Sequence, residues 1–329
     1  MATPLTGPEA PLAVRTDDAR FENLPGYPFA PNYVEVANPY GADTLRMHYV
    51  DEGPKDAPVV LMVHGEPAWS YVYRKMIPLF ADACLRAIAV DHIGFGRSDK
   101  LTQASHYSFE NHIEWLRELV VRLDLRDITI VCQDWGGPIS MGVLSREVER
   151  FSGVVAGNTM LHTAEAELEG KIDWANHSSG DSNSTVSTLL LDWMHLSHRA
   201  PGFEASAAVA GTTARGLAPE VLAAYDAPFP SEWHKAGMRQ FPLLIPVTRT
   251  DPGAAQNLET WKALSNFGGA FLTLFGDSDP PTRGWAEIFQ SRVPAAKGQP
   301  HRTLERAGHF WQEDCGDEAA PLVIDWIKS

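Results

Sequence analysis

The run Val131-Cys132-Gln133-Asp134-Trp135-Gly136-Gly137 constrains this chain more than any other stretch. The apolar residues Ile128 to Cys132 read as a buried strand, Gly136 and Gly137 permit a tight turn, and a helical pattern begins just after them. A strand, a sharp turn and a helix in that order thrust the turn residue into a pocket, and in the serine form of this elbow that residue is a nucleophile. Here the presented group is a carboxylate. It is already an anion at neutral pH and needs no base to attack. Its targets are carbons bearing a leaving group, and the product is an ester that water must then break.

Other strand-like runs recur at Val59 to Val63, Ala87 to Val90, Val154 to Ala156 and Phe271 to Phe275, with helical patterns such as Ile113, Leu116, Val120 and Leu123 between them. This alternation predicts an α/β fold with a mostly parallel central sheet flanked by helices. Tyr33 to Val36 and Leu45 to Val50 supply an antiparallel start, and an amphipathic helix near Pro321 to Ile327 closes the chain. From about residue 158 to 262 the alternation stops. A polar segment, Ser178 to Thr185, leads into helical patterns broken by Pro201, Gly211, Pro219, Pro228 and Pro230. The expected division is a main domain of residues 1–157 and 263–329, whose first twenty residues form an N-terminal extension, and a helical cap of residues 158–262 inserted after the sixth strand.

Composition narrows the partners. The chain has 329 residues, 42 acidic against 27 basic, and a formal net charge of -15, whereas nucleic acid and anionic lipid both require a basic face. Neither is expected as a partner; a neutral small molecule is. Cys84, Cys132 and Cys315 form no zinc or redox spacing, so no metal is expected, and their odd number suits a reducing compartment. No run has the length of a signal peptide or a membrane span, which predicts a cytoplasmic protein, with the periplasm as the alternative.

Four groups fall where strands of an open α/β sheet end and ligands bind. They are His64-Gly65-Glu66-Pro67, Asp134-Trp135, Gly276-Asp277-Ser278-Asp279 and Gly308-His309. The order nucleophile, acid, histidine is that of the α/β-hydrolase fold. Asp279 is the expected acid. Asp277 directly follows Gly276 and can hydrogen-bond its own turn, and Asn158, after the preceding strand, is not an acid. A histidine at 309 held by Asp279 can take a proton from the water that attacks the Asp134 ester. Backbone N–H groups of Trp135 and Glu66 are the expected oxyanion donors. An ionised Glu66 would repel the oxyanion, so its side chain is expected to point away and position His309 or the water.

His64-Gly65-Glu66-Pro67-Ala68-Trp69-Ser70-Tyr71, Gln133-Asp134-Trp135-Gly136-Gly137, Tyr225-Asp226-Ala227-Pro228-Phe229-Pro230 and Ala307-Gly308-His309-Phe310 together resemble the haloalkane dehalogenases with an Asp-His-Asp triad. The resemblance runs from about Phe21 to the C-terminus. It implies hydrolysis of a carbon–halogen bond in a small neutral halogenated alkane to an alcohol, a halide ion and a proton, with water as co-substrate and no metal or organic cofactor. It also implies a halide held by two indole N–H groups, one from Trp135 and one from the cap, for which Trp193 in Leu189-Leu190-Leu191-Asp192-Trp193-Met194 is chosen. Trp174, Trp233 and Trp261 are left to packing. Phe229, Phe310, Pro138 and Leu161 are the expected pocket walls, and a monomer or small homo-oligomer is expected. Pro138, Pro280-Pro281-Thr282 and the polar Ser178 to Thr185 segment depart from the family pattern and bear on pocket shape.

Rival readings fit less well. An epoxide hydrolase normally uses two cap tyrosines, and between 158 and 262 there is only Tyr225. A fluoroacetate-type dehalogenase needs arginines near the nucleophile, a serine esterase needs a serine at 134, and a non-catalytic binding protein would have lost a triad member.

Overall fold

The computed structural model describes residues 11–164, 172–173, 178–179 and 188–329. Its main sheet has eight strands: β1 Asn32–Val36, β2 Leu45–Glu52, β3 Val59–Val63, β4 Arg86–Val90, β5 Ile128–Asp134, β6 Phe151–Thr159, β7 Ala270–Gly276 and β8 Arg302–Leu304. They lie in the order β1-β2-β4-β3-β5-β6-β7-β8. The pairs β1/β2 and β2/β4 are antiparallel, and the rest are parallel. Every residue of β3 and β5 is buried. Helices cover both faces of a parallel sheet, which explains why these strands read as unbroken apolar runs rather than alternations.

The helices are α1 Ile77–Asp82, α2 Phe109–Arg122, α3 Gly136–Arg146, α4 Thr188–Arg199, α5 Ala205–Thr212, α6 Pro219–Asp226, α7 Ala236–Gln240, α8 Pro252–Ser265, α9 Trp285–Arg292 and α10 Trp311–Ile327. Helix α2 begins at a Ser108 cap, whose hydroxyl accepts from the Asn111 N–H, and buries Ile113, Leu116 and Val120 on one face. Helices α4 to α8 lie between β6 and β7 in the chain.

Two boundaries differ from the sequence expectation. Strand β6 runs on to Thr159, past the division at 158, and α8 crosses the one at 262 and packs on α2 and α3 of the main layer. The final helix begins at Trp311 rather than near Pro321, with a break in its helical dihedrals at Cys315. Its first turn carries Glu313 and Asp314, both of them buried and paired.

The described part of the N-terminal extension ties the sheet to the inserted helices. Ala13–Val14 pairs with Lys100–Leu101, Arg15 forms a two-bonded pair with Asp99, and Thr16 and Arg20 donate to the carbonyls of Pro228 and Ala227. At the carboxyl edge of the sheet, Asn158 accepts from the Gly276 N–H at 2.8 Å and donates to the Gly308 carbonyl at 2.6 Å. One amide thereby fixes the ends of β6 and β7 to the histidine loop.

Candidate active site

Asp134 ends β5 with φ +50°, in the left-handed region that non-glycine residues seldom adopt. The turn leaves no room for a side chain at Gly136, where a Cβ would lie 1.9 Å from the Val63 carbonyl oxygen. The elbow is held from both sides. Thr159 donates its hydroxyl to the Asp134 carbonyl at 2.6 Å, and the Glu66 N–H donates to Asp134 Oδ1 at 2.8 Å. The backbone donor expected for an oxyanion is already aimed at the carboxylate that would become the ester.

His309 stands between two carboxylates. Its Nδ1 is 3.1 Å from Asp279 Oδ1 and its Nε2 is 3.6 Å from Asp134 Oδ2. Asp279 is buried, and its second oxygen accepts the Thr282 hydroxyl. Asp277 stays at the surface, accepting from Ser278 and from the N–H groups of Arg306 and Ala307, which hold its carboxyl below the usual range. Burial works to lower the His309 pKa, but the neighbouring Asp279 and Asp134 carboxylates override it and raise it to about 10.

Glu66 behaves unlike an exposed loop acid. Burial, reinforced by the charge of Asp134, pushes its carboxyl well above the ordinary value, while His309 and a hydrogen bond from Trp193 pull the other way. Burial and the charge of Asp134 thus oppose ionisation of Glu66, which lessens the repulsion expected from an ionised acid there. Trp135 is buried, edge-on to Phe109 and Phe241. Trp193 is half-buried and edge-on to Phe203. Asp134, Trp135, Trp193, Glu66, Asp279 and His309 all face one cavity of about 730 Å³, whose apolar wall includes Met160, Ile245 and Phe310.

A sequence-family model for the alpha/beta hydrolase fold matches residues 58–279. The chain is 43% identical over 314 residues to a haloalkane dehalogenase of Psychrobacter cryohalolentis, covering 95% of this chain and 97% of the relative. It is 41% identical over 315 residues to one of Mycobacterium marinum, covering 95% and 99%. Among solved structures, the tetrameric haloalkane dehalogenase DpaA from Paraglaciecola agarilytica NO2 superposes with a TM-score of 0.82 at 34% identity, covering 94% of this chain and 97% of that one. The chain belongs to the haloalkane dehalogenases. A haloalkane dehalogenase is a hydrolase acting on carbon–halogen bonds, with water as co-substrate and no cofactor.

Within this dehalogenase the other candidates for the cap tryptophan are otherwise engaged or out of view. Trp261 donates its indole N–H to the Leu161 carbonyl, Trp233 lies at the surface, and Trp174 lies outside the described residues. The tyrosine that an epoxide hydrolase would need is also committed: Tyr225 is fully buried, donates to Glu313 and is not among the described residues lining the cavity.

Of the four expected wall residues, Phe310 lines the cavity and three do not. Pro138 borders a small separate cleft behind Trp135 and Met160. Leu161 is turned away because its neighbour Met160 takes the cavity-facing position and its own carbonyl receives Trp261. Phe229 packs edge-on to Phe95, in the stretch where Ala227 and Pro228 receive the N-terminal strap. Sequence reasoning missed Met160 and Ile245 as walls, Thr282 as the partner of Asp279, and Asn158 as the support of the histidine loop. Asn158 alone left a trace, a polar residue at the end of a buried strand.

Proposed function

We propose that Asp134 attacks the halogen-bearing carbon of a small neutral haloalkane, forming an alkyl ester and a halide held between the indole N–H groups of Trp135 and Trp193. Indole suits that task because it donates a hydrogen bond and cannot accept a proton or compete as a nucleophile. Water then attacks the ester carbonyl with His309 as base and Asp279 orienting it. The backbone N–H groups of Glu66 and Trp135 receive the oxyanion. Collapse returns the Asp134 carboxylate and releases the alcohol, and the proton taken by His309 goes to solvent.

The electrostatics support a sequence of protonation states. In the free site two carboxylates hold a proton on His309. Forming the ester removes the charge of Asp134, so His309 loses one of the two groups that raised its proton affinity and can shed its proton to become a base. Burial and Asp134 disfavour the charged form of Glu66, which limits its competition with a bound halide.

The observation that carries this reading is the line from the Glu66 N–H through Asp134 and His309 to Asp279, facing one cavity with both tryptophans. We read residues 158–262, with the main-layer helix α8 set apart, as the cap over that cavity, and a small homo-oligomer or a monomer as the assembly; the tetramer named for DpaA supports the former. Incubation with 1-bromobutane should release bromide and acid, while styrene oxide should give no diol. In a His309→Phe variant the alkyl group should remain on the intact protein as added mass. Diol without halide, or steady turnover by His309→Phe, refutes the assignment.

A further inference from the structure

Two consecutive acids open α10 four and five residues after the histidine, and neither has a role in the chemistry above. Both are buried, at 3% and 4% exposure. Glu313 pairs with Arg74 of the main domain and accepts the Tyr225 hydroxyl from α6. Asp314 turns to a different part of the inserted chain. Its Oδ2 accepts from the Ala214 N–H at 2.9 Å and the Gly308 N–H at 2.8 Å, and its Oδ1 accepts from the Arg215 N–H at 2.7 Å.

One carboxylate therefore grips the backbone next to His309 and the backbone just after α5. A direct bond closes the same junction: the His309 N–H donates to the Thr212 carbonyl at 2.8 Å. The fit is close enough to demand glycine at 308, where a Cβ would lie 2.2 Å from that carbonyl oxygen. Thr212, Thr213 and Ala214 also line the catalytic cavity. The segment that Asp314 holds is thus both a wall of the site and a stay for its base.

We propose that Asp314 is a positioning residue for His309. By sharing its oxygens between Gly308 and residues 214–215, it fixes the imidazole against the Asp134 ester only while the cap segment 212–215 is seated. Asp134 itself is held by β5, Thr159 and the Glu66 N–H, whereas the Asp314 carboxylate bonds Ala214, Arg215 and Gly308. Loss of the clamp therefore slows ester hydrolysis and spares alkylation. The inference rests on the reading of His309 as the base of the second step.

The test is Asp314→Asn in the full chain, followed in single turnover with 1-bromobutane by rapid quench, bromide release and intact mass. The amide replaces one acceptor oxygen with a donor that faces backbone N–H groups, so at least one of the three bonds is lost. Bromide release per active site should stay within about twofold of the parent, while ester hydrolysis slows about tenfold or more and alkyl-enzyme accumulates. The burst amplitude counts working sites, so partial unfolding cannot imitate the split. Gly308→Ala, whose Cβ would meet the Thr212 carbonyl oxygen while the Asp314 carboxylate is retained, should reproduce it. Equal slowing of both steps, or unchanged hydrolysis, overturns the inference. If His309→Phe traps no ester, the parent assignment falls and this one with it; if it traps the ester while both steps slow equally in Asp314→Asn, only this inference falls.

Discussion

Replacing Trp193 with phenylalanine removes the cap indole N–H of the proposed halide site. The benzene ring keeps the edge contact with Phe203 at 5.4 Å between centroids, and the indole N–H is deleted. A hydrogen bond to a charged group contributes about 1.5 to 3 kcal/mol. At 1.4 kcal/mol per factor of ten, bromide affinity should fall by roughly 10- to 150-fold. The first chemical step should slow by less, because the halogen carries only part of its charge in the transition state. A second consequence could blur this result, since Trp193 also bonds the Glu66 carboxyl. That bond lowers the proton affinity of Glu66, so its removal leaves burial and Asp134 less opposed and moves the acid further toward its protonated form. No new anion enters the site, and the loss can be read as the halide's own. The assay is a bromide titration followed by tryptophan emission, with single-turnover release from 1-bromobutane alongside. A bromide affinity within about twofold of the parent refutes the role of Trp193 and transfers the question to Trp174.

Asn158→Ala should destabilise the fold by about 2 to 4 kcal/mol, because the Gly276 N–H and the Gly308 carbonyl lose a buried partner; urea unfolding measures it, and a loss under about 0.5 kcal/mol refutes the tie. Glu66→Gln should leave the alkylation step nearly unchanged, since burial and Asp134 already disfavour its charged form, whereas a collapse of bromide release would show that its charge matters. His309 has its pKa raised from 6.5 to about 10, so its ion pairs stabilise the fold fully below the lower value and are lost as pH rises through the upper one. Between about pH 7 and 10 the parent should therefore lose stability relative to His309→Phe in paired thermal unfolding curves, and parallel curves refute the shift.

The elements of the candidate site were legible because their signals are local. The elbow announces itself as an apolar strand, an acid and two glycines in succession, although what requires glycine at 136 is the Val63 carbonyl of the neighbouring strand. The choice of Asp279 over Asp277 also rested on local reasoning, that an acid directly after a strand-ending glycine satisfies its own turn; Asp277 does accept from Ser278 in that turn, and also from the N–H groups of Arg306 and Ala307, 29 and 30 residues on. Wall positions followed no such rule. Whether Met160 or Leu161 faces the cavity depends on how the chain leaves β6 and on where Trp261, a hundred residues later, needs an acceptor.

By itself, then, the sequence determined the α/β alternation, the acid at the elbow, the histidine and acid downstream, and the tryptophan beside the nucleophile. These are consequences of periodicity, turn chemistry and motif order, which act over a few residues. Only the tertiary structure decided that burial and Asp134 disfavour ionisation of Glu66, that Asn158 and Thr282 brace the loops of the candidate site, and that α10 begins ten residues early on a pair of buried carboxylates. Each depends on burial and on partners from distant segments: Glu66 lies beside Asp134, and Asp314 holds Ala214 and Arg215 from a hundred residues away. A side chain's charge and reach are set by what the fold brings to it, and that is written in no single stretch of the chain.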